Sequence, residues 1–200
     1  MDNLTEQARL AHQRLSPACR TYLEGRFGGH ANQVADQFML GTSNRGDLTI
    51  PYTTTSGRVL DIKVKCIGDH DCKTENHPKT VSMARQAQGL YQAQATTTTG
   101  SRIAIVEGEP DTWAATVGLD IPAVGVPGVK AWRSGFAGLF TDFAEVLVFA
   151  QGDSDGRTFA RTVADSIFTA RVIECPDGED VASTPAPVLR AIIEAQSAVA

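Results

Sequence analysis

The segment Val146-Leu147-Val148-Phe149-Ala150-Gln151-Gly152-Asp153-Ser154-Asp155-Gly156 runs from five consecutive apolar residues into a short, acidic, glycine-flanked turn. An unbroken apolar run without polar alternation marks a strand buried on both faces, as in parallel sheets covered by helices. The next stretch reads as a helix over 156–168, with Phe159, Ala160, Val163, Ala164, Ile167 and Phe168 recurring at helical spacing. The same alternation extends to both sides, with strands expected over 102–106, 121–126 and 171–175 and helices over 112–117 and 188–195. Residues 101–200 are therefore expected to form an α/β domain, a mostly parallel sheet flanked by helices.

The first hundred residues have another pattern. Ser16-Pro17 offers an N-cap and a first-turn proline, Tyr22, Leu23 and Phe27 an apolar stripe, and Gly28-Gly29 a stop. A second helix is expected over 32–40, burying Val34, Ala35, Phe38 and Met39 and ended by Gly41. From Leu48 the period falls to two. A strand over 48–50 and a polar turn over 54–57 lead into 58–66, where Leu60, Ile62, Val64 and Cys66 share one face and Asp61, Lys63 and Lys65 the other. The reading is a half-buried antiparallel hairpin with a basic outer face, in a small α+β subdomain over 1–100 that ends at the threonine-rich connector 96–100.

Composition narrows the function classes. In 200 residues, 42% hydrophobic and 20% charged side chains exclude wholesale disorder and fibrous repeats. The apolar run 146–150 is far shorter than the ~20 residues of a membrane-spanning helix, and no hydrophobic signal core opens the chain, so a cytoplasmic protein without a membrane partner is expected. Four scattered cysteines in a chain of this length are expected to be reduced. Charge is unevenly divided: residues 1–101 carry 11 Lys/Arg against 9 Asp/Glu, residues 102–200 carry 7 against 14.

The acidic surplus falls at strand ends, and ligands of open parallel sheets bind beyond the carboxyl ends of the strands. Strand 102–106 leads into Glu107-Gly108-Glu109-Pro110-Asp111, and strand 146–150 into the Asp153-Ser154-Asp155-Gly156 turn. If the two strands are neighbours, Glu107, Asp153 and Asp155 share one crevice. Such carboxylates raise one another's pKa unless a hard divalent cation, Mg²⁺ above all, neutralises them. An ion of this kind suits in-line phosphoryl or nucleotidyl transfer. The plainer reading is a turn in which Asp153 or Asp155 caps the next helix.

In chain order, Ile105-Val106-Glu107-Gly108-Glu109-Pro110-Asp111, Ala123-Val124-Gly125-Val126-Pro127-Gly128, Asp153-Ser154-Asp155-Gly156 and Cys175-Pro176-Asp177-Gly178-Glu179-Asp180 resemble the Toprim domain. That domain is shared by DnaG-type primases, topoisomerases, some nucleases and RecR-like proteins. The resemblance implies that Glu107 is a catalytic acid/base or metal-adjacent carboxylate and that Asp153 and Asp155 hold Mg²⁺ or Mn²⁺. It places Asp111 and Asp180 at further acidic positions that help hold metal. Upstream, Tyr22-Leu23-Glu24-Gly25-Arg26-Phe27, Phe38-Met39-Leu40-Gly41, Ile50-Pro51 with Gly57-Arg58-Val59, Pro78-Lys79 and Gly89-Leu90-Tyr91 are similar to the basic subdomain preceding Toprim in DnaG-type primases.

That similarity implies a groove for template and incoming nucleotide. Lys65 stands in place of a family arginine, Lys79 in the Pro-Lys motif, and Lys63 and Arg85 are neighbouring cations for phosphates. Gln86 replaces a second family lysine. The function implied is a minimal, phage-like DNA primase core making RNA primers on single-stranded DNA from nucleoside triphosphates, beside a replicative helicase or a separate zinc-bearing component. A Toprim nuclease and a non-catalytic DNA-binding recombination mediator are the alternatives. Cys66, His70, Cys72 and His77 are spaced C-x3-H-x-C-x4-H and match no strong structural zinc pattern, so Cys66 is expected under the hairpin and the histidines in a loop. Trp113, in an expected helix, is assigned to the core rather than to base stacking, the role for which Trp132 is the other candidate.

Overall fold

Strand pairing sorts the chain into one antiparallel and one parallel sheet. In a computed structural model, which describes residues 3–84, 89–128 and 131–197, the chain divides into the units Met1–Gln88 and Gly89–Ala200. The division precedes the threonine-rich connector instead of coinciding with it because the segment ahead of the connector is apolar and packs into the second unit. Leu90 and Tyr91 are buried there. Tyr91 exchanges backbone hydrogen bonds with Gly125, and its hydroxyl accepts from the Trp113 indole at 2.7 Å. Trp113 is a core residue, as expected.

The first unit holds α1 (Asn3–Gln13), α2 (Pro17–Phe27), α3 (Ala31–Gln37) and an antiparallel sheet in the order β1 (Gly41–Thr42), β2 (Leu48–Thr53), β3 (Val59–Lys65), β4 (Thr80–Ser82). Ser16 caps α2 by accepting from the Cys19 amide, with Pro17 in the first turn. Helix α1 escapes the apolar reading because it packs through alanine: Ala8 clusters with Val59 and Ile62 of β3. Helix α3 stops earlier than expected, where Met39 takes a positive φ of 50°. Gly41 is not the helix stop. It opens β1, pressed so close to α1 that a side chain would run into the Ala11 carbonyl group.

The hairpin of β2 and β3 forms as expected, but its outer face is not simply basic. Asp61 is fully buried and accepts from the Ser82 hydroxyl and from the backbone amides of Ile62 and Ala84. It fastens β4, a strand not anticipated by the irregular reading of 67–80, onto β3. Cys66 does not pack beneath the hairpin either. It is half-buried, with Sγ 3.5 Å from His70 Nε2.

The second unit runs β5 (Arg102–Val106), α4 (Glu109–Trp113) continued by a π-turn over Ala114–Gly118, β6 (Ala123–Gly125), β7 (Glu145–Ala150), α5 (Ser154–Ala164), β8 (Ala170–Glu174) and α6 (Ala186–Ser197). All its strand pairs are parallel, in the order β6-β5-β7-β8. Alternate side chains feed two cores. Ile103, Ile105, Val146 and Val148 meet Phe159, Ala160 and Val163 of α5 on one face. Ala104, Val106, Leu147 and Phe149 meet Leu189 and Ile193 of α6 on the other. Each large aliphatic or aromatic side chain so buried contributes ~1.5–3 kcal/mol, so the covered sheet is a rigid base for the loops at its ends. Phe168 departs from the expected stripe: α5 ends at Ala164, and Phe168 is fully exposed. None of the described helices is long and apolar enough to cross a membrane.

The loops beyond β7 and β8 touch backbone to backbone. A Cβ on Gly152 would overlap the Pro176 carbonyl oxygen and sit 2.7 Å from the Gly178 nitrogen. Gly152→Ala must push these loops apart. It is expected to lower stability by ~1–3 kcal/mol, the usual effect of overpacking, measured as an earlier chemical-denaturation midpoint of the second unit's transition.

Candidate active site

The chain leaves β5 for β6 on one side and then crosses to β7 on the other, so the strand order reverses between β5 and β7. Crevices outside the carboxyl ends at such a reversal are where open α/β sheets bind ligands. The pairing of Ile105 with Val148 makes β5 and β7 neighbours, the condition on which the shared crevice of Glu107, Asp153 and Asp155 depends.

Glu107, directly after β5, is the electrostatic centre. Its Oε1 is buried and has no hydrogen-bond partner among the described residues. Burial first, then the charges of Asp111, Asp153, Asp155 and Asp180, push its carboxyl up to about 7. Acids lying beyond the ends of β5, β7 and β8 thus act on one another. Cys175, buried behind the same loops, has its thiol pushed up to about 12 by burial and by the charges of Asp111, Asp180 and Glu107.

The remaining acids are held in different ways. Asp153 caps α5, its Oδ1 accepting from the Gly156 amide at 2.7 Å, so the plain turn reading and membership of the acid cluster are both satisfied by one residue. Asp155 is exposed in the first turn of α5. Asp111 is buried, with Oδ2 accepting from the Gln151 side chain at 3.3 Å and Oδ1 from the Ala182 amide at 3.0 Å. It ties α4 to the loops after β7 and β8, a structural duty beside the metal role expected of it. Asp180 accepts from the Ser183 amide at 2.7 Å through Oδ1. Gln151 is a positioning residue that sequence reasoning missed. Its place directly after the buried strand was the available signal.

The opposite end of the sheet shows the contrast. Glu145, at the start of β7, is paired with Arg102 and with Arg171, the latter at 2.6 Å. Burial alone would raise its carboxyl, but the two arginines hold it below the ordinary value. At the carboxyl ends the acids face acids. A buried carboxylate oxygen without a donor, set among oxygen ligands alone, fits a hard divalent cation.

In the first unit, Lys63 Nζ donates to the Tyr52 hydroxyl at 2.6 Å and lies 4.4 Å from that ring's centre. Lys65 Nζ is 6.0 Å from the centre of the Tyr22 ring. Lys79 is exposed, and its carbonyl accepts from the Cys66 amide at 2.9 Å, which sets it level with the end of β3. Arg85 lies outside the described residues.

A carboxyl whose folded pKa is raised from 4.5 to about 7 stabilises the fold fully below the lower value and loses that contribution as pH rises through the upper one. Glu107→Gln keeps the shape and removes the charge. Its thermal midpoint is expected to match the wild type near pH 4.5 and to rise progressively above it up to about pH 7, read by melting both proteins across that range.

No family model matches the chain. The Gene 57 protein of Mycobacterium phage D29 is 37% identical over 143 residues, which cover 70% of this chain and 90% of that protein. The DNA primase of Escherichia coli strain K12 is 28% identical over 176 residues, 78% of this chain but 30% of the primase, so the chain spans less than a third of that relative. Among solved structures, a DnaG primase catalytic domain bound to single-stranded DNA superposes with a TM-score of 0.74 at 20% identity, over 96% of this chain and 79% of that one. The protein thus belongs to the family of the phage D29 Gene 57 protein, and its fold is that of the DnaG-type primase catalytic core.

Proposed function

We propose that this chain is a DNA primase catalytic core, a Mg²⁺- or Mn²⁺-dependent DNA-directed RNA polymerase that makes RNA primers on single-stranded DNA. The observation that carries the reading is the half-buried Glu107, its carboxyl raised by burial and by four other carboxylates at the point where the strand order reverses. The likeness of fold to a primase domain that binds single-stranded DNA, and of sequence to a DNA primase, supports it.

In this reading Glu107, Asp153 and Asp155, with Asp111 beside them, would hold the metal, which would offset charge on a nucleoside triphosphate and its leaving pyrophosphate. The chain's own residues do the rest. The cap on Asp153 fixes its carboxylate at the head of α5. Asp111, anchored by Gln151 and Ala182, keeps the loops in register and adds negative charge. The carboxyl of Glu107 is raised to about 7 by burial and the neighbouring acids only while the cluster is without its ion; a bound cation would hold it in its charged form. Lys63, Lys65, Lys79 and Arg85 would contact template and nucleotide phosphates, in a sequence-independent and salt-sensitive way. A replicative helicase and a separate zinc-bearing primase component are the natural partners, in a host cytoplasm.

Incubation with single-stranded template, labelled ribonucleotides and Mg²⁺ or Mn²⁺ tests the reading. Templated oligoribonucleotides are expected. Loss of template without synthesis would make the chain a nuclease, and no change in either would leave it a binding module. Asp153→Asn and Asp155→Asn are each expected to lower synthesis by roughly 10²-fold or more, the scale of losing one preorganised electrostatic element, while retaining binding to single-stranded DNA. Lys65→Ala and Lys79→Ala are expected to weaken that binding and each to reduce the slope of log affinity against log salt by about 0.7, read by fluorescence anisotropy at several salt concentrations.

A further inference from the structure

The loop joining β3 to β4 has little to hold it. Over 67–79 most residues are exposed, and Cys72 is the buried one. Yet the loop is closely folded. Asp71 accepts from the Lys73 amide and the Thr74 hydroxyl, the His77 amide bonds the Cys72 carbonyl at 2.9 Å, and the Cys66 amide bonds the Lys79 carbonyl at 2.9 Å. An apolar core does not offset the conformational entropy of ordering such a segment. What sits at its centre is a set of four side chains.

One ligand atom from each of Cys66, His70, Cys72 and His77 lies within 4.8 Å of all the others. His70 Nε2 is 3.5 Å from Cys66 Sγ, 3.8 Å from Cys72 Sγ and 2.9 Å from His77 Nε2. A ring nitrogen has one proton or one lone pair to offer, so His70 Nε2 cannot satisfy three such neighbours by hydrogen bonding. A cation at the centre satisfies all four at once. With Zn–S near 2.3 Å and Zn–N near 2.0–2.1 Å, a tetrahedral ion sets sulfur and nitrogen ligands about 3.5 Å apart and two nitrogens about 3.3 Å apart. The observed spacings need only small adjustments.

The surroundings agree. His77 Nδ1 is 3.2 Å from the Pro78 carbonyl, which can hold the proton on Nδ1 and turn the Nε2 lone pair to the centre, as metal-bound histidines usually require. Gly68 leaves room for the ligand arm to fold back, since a Cβ there would lie 2.6 Å from the His70 ring. Glu75 Oε2 lies 4.0 Å from His70 Nε2, outside the set of four. Two thiolates balance the charge of a divalent ion, and sulfur with imidazole favours zinc over the hard ions suited to the acid cluster.

We propose that Cys66, His70, Cys72 and His77 bind one Zn²⁺ in a closed tetrahedral site that staples the β3–β4 loop and so fixes the position of Lys79. With four protein ligands the site is structural and leaves no open position for a reacting water. The proposal does not depend on primase activity.

Metal analysis of the full chain, purified from zinc-supplemented cells under reducing conditions, tests it. One zinc per chain is expected, and replacement by Co²⁺ should give the intense visible bands of tetrahedral cobalt with a thiolate-to-cobalt charge-transfer band. Cys72→Ser and His77→Ala should bring zinc content to near none, and His30→Ala should leave it unchanged. The cobalt spectrum is read on the wild type, so the test stands even if a variant fails to fold. Metal-free wild type after exposure to excess Zn²⁺, an octahedral cobalt spectrum without the thiolate band, or a Cys66–Cys72 disulfide found by thiol counting would each overturn the proposal.

Discussion

Parallel pairing of β5 with β7 is the constraint from which the acidic site arises. Neither strand can reach the other through a tight turn, because parallel neighbours need a crossover. The chain therefore passes through α4, β6 and the short 3-10 helix over Ser134–Phe140 before β7 begins. Both strands then end at the same edge, and carboxylates stand just past each end. Burial of Glu107, and then the repulsion among the acids, opposes folding, as its raised carboxyl records. The two apolar cores on either side of the sheet supply the stability that keeps them there. Close approach does the final positioning: at Gly125, as at Gly152, a side chain would crowd a neighbour, with Thr112 Oγ1 of α4 2.7 Å and the Gly108 carbonyl oxygen 3.0 Å from a Cβ placed there.

What could be read from the sequence tracked the strength of the local signal. The strand over Arg102–Val106 and the one over 146–150 form almost as expected because an unbroken apolar run has few other homes. Strict alternation gave the hairpin. The errors share a cause, which is that tertiary contact changed the meaning of a residue. Alanines in α1 carry little hydrophobic signal yet pack fully. Asp61 sits on the face shared with lysines but is buried once Ser82 and the Ala84 amide approach it. Gly41 looks like a helix stop and is a point of close approach, while Tyr91, lying before the polar connector, belongs to the second unit.

The acid cluster was legible in its members and not in their division of labour. Spacing placed Glu107, Asp153 and Asp155 at strand ends, and topology made them neighbours. Spacing could not show that Asp111 spends both oxygens on Gln151 and Ala182, nor that Asp153 caps a helix while its charge acts on Glu107. A cap and a metal ligand are compatible for a physical reason. The amide of Gly156 takes one lone pair of a carboxylate that has several, and restricting its rotation favours coordination.

The cysteine and histidine set follows no strong zinc pattern in the sequence, yet the fold draws its four side chains together. Strong zinc signatures place two cysteines on one knuckle, whereas here a cysteine and a histidine share each arm, Cys66 with His70 and Cys72 with His77. Spacing alone therefore does not reveal a cluster that the fold assembles. The two clusters also differ in kind. One is all oxygen, crowded and negative, and one is sulfur and nitrogen, whose two thiolates would balance a single divalent ion. Affinity order alone would give zinc the advantage over magnesium at most sites, so a protein using both must sort them by donor chemistry. Placing thiolates and imidazoles on the loop of one unit and carboxylates at the strand ends of the other is an arrangement that would do so, leaving the acid cluster to a labile hard ion while a tightly held soft one would serve the fold.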